Sequence, residues 1–211
     1  MKTLECRGIT LSDKQTKICV PITGTDLEEI KEQAEKIANM NPDVVEWRAD
    51  FYDVKDNDET EFEQCLKAIN DNLKKIPIIY TYRTSNEGGE KSIDVDDYCR
   101  LCKYVSEISE KYNVAMIDVE LYENKDRKDI GKLLLDIKST GVKVIGSNHH
   151  FEGTPSEKDI FNVLKTMEEA GADICKIAVM PKEKVDVKTL INASKKANKE
   201  LNAPIITMSM G

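Results

Sequence analysis

The chain has 211 residues, 40% of them hydrophobic, and a formal net charge of -8. That length and apolar content suffice for one sizeable core, and the acidic balance excludes a nucleic-acid or anionic-membrane surface, since either polyanion would be repelled. No run approaches the roughly 18 apolar residues of a membrane span, and the opening MKTLECRGITLSDKQTK has no apolar signal core, so a cytoplasmic protein with small-molecule partners is expected.

Residues 1–16 have the β-turn-β look of a hairpin, and from residue 17 the chain alternates. KICVPI (17–22) reads as a strand, TDLEEIKEQAEKIANM (25–40) as a helix opened by a Thr-x-x-Glu capping box, and DVVEWRAD (43–50) as a strand again. Helices over about 60–73, 94–112 and 127–140 then precede the strands IPIIYTYR (76–83), VAMIDVEL (114–121) and VKVIGSN (142–148). Helix 156–171 leads to the apolar run ADICKIAVMP, and helix 184–200 leads to APIITMSM (203–210). Seven strands separated by six helices, each of crossover length, predict a parallel sheet.

An open nucleotide-binding sheet would carry G-x-G-x-x-G or G-x-x-x-x-G-K after a strand, and neither is present. Polar residues recur instead near the C-terminal ends of successive strands: Glu46, Arg48 and Asp50, then Arg83, then Asp118 and Glu120, then His149, then Lys176. A barrel brings such ends to one mouth, whereas an open sheet strings them out in a line. The expectation is a single (β/α)8 TIM-type barrel domain over residues 1–211, with barrel strands 1–7 within 17–210 and the hairpin plugging the opposite end.

Lys176 is the one charged residue of a strand ended by Pro181. Burial would lower its pKa and free the amine to attack a carbonyl, although a lysine whose head pairs with a carboxylate fits the same position. Glu46, Arg48 and Asp50 alternate along one strand, so all three should face the barrel interior, and Asp118 with Glu120 repeats the geometry as either an ion-pair network or a ligand site. His149 and His150, the only histidines, end an apolar strand and suit acid-base work better than metal binding, for no set of ligand spacing stands beside them. The loop TSNEGGEK carries Glu87 on a polar turn. Cys99 and Cys102 form a C-x-x-C inside a helical pattern, without a second pair or a histidine nearby; they read as packing residues, and disulfides are not expected.

Seven stretches, KICVPI, VEWRADF, YRTSNEGGE, IDVEL, SNHHF, KIAVMP and ITMSMG, occur in an order that resembles the type I 3-dehydroquinate dehydratases. The resemblance implies a barrel in which Lys176 forms a Schiff base with the ketone of 3-dehydroquinate and His149 moves the protons. By the same match Glu87 assists the histidine, Glu46, Arg48 and Arg83 bind the substrate's hydroxyls and framework, and Asp118 belongs to the polar shell; no metal or other cofactor is called for. SNHHF departs from the family's usual SNHDF, and the aligned base is His149, not His150. After ITMSMG the family continues with an eighth β/α unit and a loop that clamps the substrate carboxylate, whereas this sequence stops at Gly211. The expectation is therefore a barrel without strand 8 and its helix, exposed at two edges and poorly active as it stands. A class I aldolase-type Schiff-base lyase and a truncated, non-catalytic barrel are the alternative readings, and a homodimer is left open.

Overall fold

The computed structural model describes residues 2–12, 14–53, 58–121 and 128–211. An antiparallel hairpin of β1 (Thr3–Cys6) and β2 (Ile9–Ser12) comes first. Seven parallel strands follow, β3 (Cys19–Ile22), β4 (Val44–Arg48), β5 (Ile78–Thr81), β6 (Val114–Glu120), β7 (Lys143–His150), β8 (Ile174–Val179) and β9 (Ile205–Ser209), paired in chain order. The crossover helices are α1 (Leu27–Ala38), α2 (Glu59–Leu73), α3 (Val95–Glu107), α4 (Lys128–Ser139), α5 (Glu157–Glu169) and α6 (Lys184–Glu200). The result is a curled sheet with seven strands and six helices, matching a TIM-type barrel that lacks one unit, and β3 and β9 are its edges. No helix among the described residues is long and apolar enough to cross a membrane.

Strand alternation sorts the side chains into two cores. Val45, Trp47, Ile78, Tyr80, Val114, Ile117, Val119, Val144 and Ile177 face the helices in one large cluster, with Trp47 edge-on to Tyr80 at a centroid distance of 5.6 Å. Val44, Ala115, Met116, Ile145 and Ile174 form a smaller cluster inside the curl, with Ile79 and Ile206 beside it. Cys6 and Ile9 of the hairpin belong to that inner cluster, so the hairpin closes the end of the barrel at which the strands begin. Each aliphatic side chain buried there contributes about 1.5–3 kcal/mol relative to exposure.

At two helix ends the structure differs from the sequence reading in what caps or stops the helix. Helix α1 is capped by Asp26, whose side chain accepts from Glu28 N and Glu29 N, while Glu29 accepts from Thr25 N; the cap sits one residue later than Thr25 because a carboxylate is available there to take both amides. Helix α3 stops at Glu107, short of Tyr112. Lys111 and Tyr112 turn away to donate to Glu63 on α2, and Asn113 takes a left-handed φ of 56° before β6 begins. The sequence reading started α4 at Arg127, which lies outside the described residues. The C-x-x-C is on α3, with Cys102 fully buried.

Candidate active site

The inner face changes character along the strands. Above the apolar floor, in the direction of the strand C-termini, β4 presents Glu46, β5 Thr81 and then Arg83 just past its end, β6 Asp118 and Glu120, β7 Ser147 and His149, and β8 Lys176. Register places Ser147 opposite Lys176, and His149 two residues further toward the mouth opposite Ala178. Lysine and histidine therefore share one face on neighbouring strands.

Lys176 is 9% exposed. Its Nζ donates to Asp118 Oδ2 at 3.0 Å and lies 3.9 Å from Glu46 Oε1, so the buried ammonium is paired with carboxylates rather than stranded among apolar groups. Asp118 also accepts from Arg83 Nη2 at 2.8 Å and from Ser147 Oγ at 2.5 Å. Burial alone would raise the Asp118 pKa, but the charges of Arg83 and Lys176 beside it outweigh that and hold it well below the usual carboxylate range. Thr81 Oγ1 donates to Glu46 Oε1 at 2.8 Å.

His149 is mostly buried, and burial is the main cause that lowers its pKa to about 3, with the positive charge of Arg83 adding to the effect. The imidazole is neutral at physiological pH. Its Nδ1 lies 2.8 Å from Glu87 Oε2, and because a carboxylate accepts, Nδ1 carries the proton and Nε2 is left with its lone pair.

Glu87 closes a short 3₁₀ turn, Ser85–Glu87, in the loop after β5. That loop is tied down at several points. Thr84 N and Oγ1 each donate to Glu120 at 2.7 Å, and Arg83 N and Glu90 N donate to Asp50. Both glycines of TSNEGGEK have steric reasons: Gly88 takes φ 82° with the Phe151 ring where a Cβ would sit, and a Cβ on Gly89 would strike the Arg83 carbonyl.

Arg48 and Asp50 form a bidentate pair, with Nε and Nη2 donating at 2.8 and 2.7 Å, and the guanidinium lies over the Phe51 ring. Asp50 does not continue the alternation of Glu46 and Arg48. The strand ends at Arg48, and Asp50 lies in a 3₁₀ turn, Ala49–Phe51, where it is buried by its hydrogen bonds to Arg48 and the loop amides. Arg83 is 4% exposed and spends its guanidinium on Asp118, Glu120 and Ser147. Its pKa is raised further because those carboxylates outweigh its own desolvation. His150, the second histidine, makes no ion pair of this kind among the described residues, and its Nε2 is buried without a partner among them.

Lys176, His149, Glu87, Glu46, Arg83 and Asp118 thus converge in one connected set, with Arg48 at its rim. Ser147, Thr81, Thr84 and Asn148 belong to the same set but are given no role by the sequence reading, although Ser147 and Asn148 lie in SNHHF and Thr84 in YRTSNEGGE; strand alternation from His149 back to Ser147 also points to the serine. Among the described residues no group of three or more His, Cys, Asp or Glu side chains is arranged to hold a metal ion.

A parallel barrel-type sheet with a buried lysine on one strand and a histidine–carboxylate pair on the next, toward the C-terminal ends of the strands, is an arrangement suited to carbonyl chemistry. The family model for type I 3-dehydroquinase matches residues 18–211. The chain is 38% identical over 211 residues to 3-dehydroquinate dehydratase of Listeria monocytogenes serotype 4a (strain HCC23), covering 100% of this chain and 81% of the relative. It is 42% identical to that of Bacillus licheniformis, covering 99% and 80%. The crystal structure of type I 3-dehydroquinate dehydratase from Clostridium difficile with covalently modified comenic acid superposes with a TM-score of 0.92 at 36% identity, covering 100% of this chain and 81% of that one. The enzyme from Geobacillus kaustophilus gives 0.91 at 30% identity, covering 100% and 79%. The chain belongs to the type I 3-dehydroquinase family.

Proposed function

We propose that the chain, a hydro-lyase by family, dehydrates 3-dehydroquinate to 3-dehydroshikimate through an imine on Lys176, with His149 as the proton carrier and Glu87 as its orienting partner. The observation that carries the reading is the pairing on adjacent strands: a buried lysine on β8, and on β7 a histidine whose Nε2 is free to accept.

Lys176, paired as an ammonium with Asp118, first gives one proton to His149 Nε2. Attack of the amine on the C3 ketone, with a second nitrogen proton passing to the new oxygen, gives a carbinolamine, and the imidazolium proton leaves with its hydroxyl as water to give the cationic imine. The cationic imine draws electrons from the adjacent C2–H bond. His149 Nε2 takes that proton and the electron pair becomes an enamine. The enamine then expels the C1 hydroxyl, which leaves as water with the proton from the imidazolium. Water adds to the conjugated imine and releases product and free lysine. Glu87 keeps Nδ1 protonated throughout, and so returns Nε2 to its basic form after each transfer.

Glu46 and Arg48 receive the ring hydroxyls and framework, with Arg83 contributing chiefly by fixing Asp118, and Asp118 anchors the lysine head between turnovers. The same reading takes residues 1–211 as one barrel domain of a cytoplasmic enzyme able to pair as a homodimer. Incubation with 3-dehydroquinate and borohydride tests the imine: the mass of the reduced adduct is expected on the peptide holding Lys176. A label on Lys182 or Lys184 instead would overturn the assignment.

A further inference from the structure

Asn148 is used by none of these steps, yet it is 2% exposed and stands next to the base. Its Nδ2 donates to Glu87 Oε1 at 3.2 Å, while Nδ1 of His149 meets Oε2 of the same carboxylate at 2.8 Å. Consecutive strand residues ordinarily point to opposite faces. These two reach one carboxylate because the turn Ser85–Glu87 lies across the end of β7. Asn148 Oδ1, by contrast, is buried and has no hydrogen-bond partner among the described residues. Turning the amide over would set that oxygen against the carboxylate, so Glu87 fixes its orientation. An unpaired buried carbonyl oxygen is unfavourable, so what holds the amide here is the bond it donates to the buried Glu87 carboxylate.

We propose that Asn148 is a positioning residue for the reaction: its amide fixes the Glu87 carboxylate so that Oε2 accepts the hydrogen bond from Nδ1–H of His149 and Nε2 stays a free acceptor facing the substrate. Arg83 and Glu120 do not fill this role. Arg83 Nη1 is 3.8 Å from Oε2 and is committed to Glu120 and Ser147, and Glu120 carries a like charge. The inference rests on the reading of His149 as base and Glu87 as its partner.

The test uses histidine labelled with ¹⁵N, whose ring shifts report the tautomer. The chain has only two histidines, and His150→Gln assigns their signals. In the unaltered protein the Nδ1–H form of His149 is expected. Asn148→Leu, or Asn148→Ala should the leucine variant fold poorly, is expected to mix in the Nε2–H form and to lower kcat about tenfold, with KM changed less than about threefold. Borohydride labelling of Lys176 should persist. Glu87→Gln should disturb the tautomer as well, and adding Asn148→Leu to it should bring little further loss, because the amide acts through that carboxylate. An unchanged tautomer and kcat in both Asn148 variants, or losses that multiply with those of Glu87→Gln, would overturn the proposal in favour of a packing role. If Glu87→Gln itself leaves tautomer and kcat unchanged, the Glu87–His149 reading fails, and this proposal with it.

Discussion

The two halves of the inner barrel are built on the same strands and obey different rules. Near the strand beginnings, Val44, Ala115, Met116, Ile145 and Ile174 pack against the hairpin with no polar side chain among them. Two to four residues further along those strands, Glu46, Asp118, Glu120, Ser147, His149 and Lys176 fill the same interior with polar and charged groups. Apolar packing in the floor is favourable for any close-fitting side chains. The upper layer is favourable only as a complete network, since each ion there has lost water and depends on its partners. Adhesion and chemistry are thus separated by roughly 7–13 Å along a strand, so that altering one layer should leave the other largely intact.

Lys176→Met is the strongest test of that separation. Turnover and borohydride labelling should both vanish, while cooperative unfolding survives, because Asp118 retains Arg83 and Ser147 as partners. Failure of this variant to fold would show that the upper layer also holds the barrel together. His149→Ala should lower kcat by about 10²–10⁴-fold and let the trapped imine accumulate, since the lysine remains. Met116→Ala probes the other side. Truncating a buried floor residue should reduce unfolding free energy by about 2–5 kcal/mol, with kcat within about twofold of the original. A kcat loss comparable to that of His149→Ala would mean that the floor positions the chemistry after all.

The sequence reveals the layers unequally, and range explains why. Apolar strands and amphipathic helices are local patterns, so the seven strands and their order could be read directly, and rare residue types on apolar strands drew attention to Lys176 and His149. The links that complete the site join distant positions. Arg83 reaches Ser147 across 64 residues, and Asn148 reaches Glu87 across 61. No spacing encodes such contacts. Asp50 shows the opposite failure: period-two alternation was carried past Arg48, although a paired Arg–Asp and two loop amides favour a turn there. Lys176 shows the limit of reading burial alone, for the apolar run concealed a carboxylate 3.0 Å from its amine on another strand.

A smaller effect should appear in the pH dependence of stability. His149 is held neutral in the folded protein with its pKa lowered to about 3, whereas in the unfolded chain it would titrate near 6.5. Its folded value lies below its unfolded value, so the stability associated with the neutral ring is complete above about pH 6.5 and is lost as pH falls toward 3. Between pH 6.5 and pH 5.5 the loss amounts to about 1 kcal/mol. Glu63, lowered to about 2 by hydrogen bonds from Lys111, Tyr104 and Tyr112, has the same sign, as does Asp118, but both begin to lose stability only below the ordinary carboxylate range near pH 4–4.5. The interval from pH 6.5 to 5 therefore separates His149 from these carboxylates. Urea unfolding of the protein and of His149→Gln at half-unit steps across that interval should give curves that converge on acidification, with the unaltered protein falling more steeply. Parallel curves would mean that the ring is protonated in the folded state, and the upper layer would then hold one more charge than its hydrogen bonds imply.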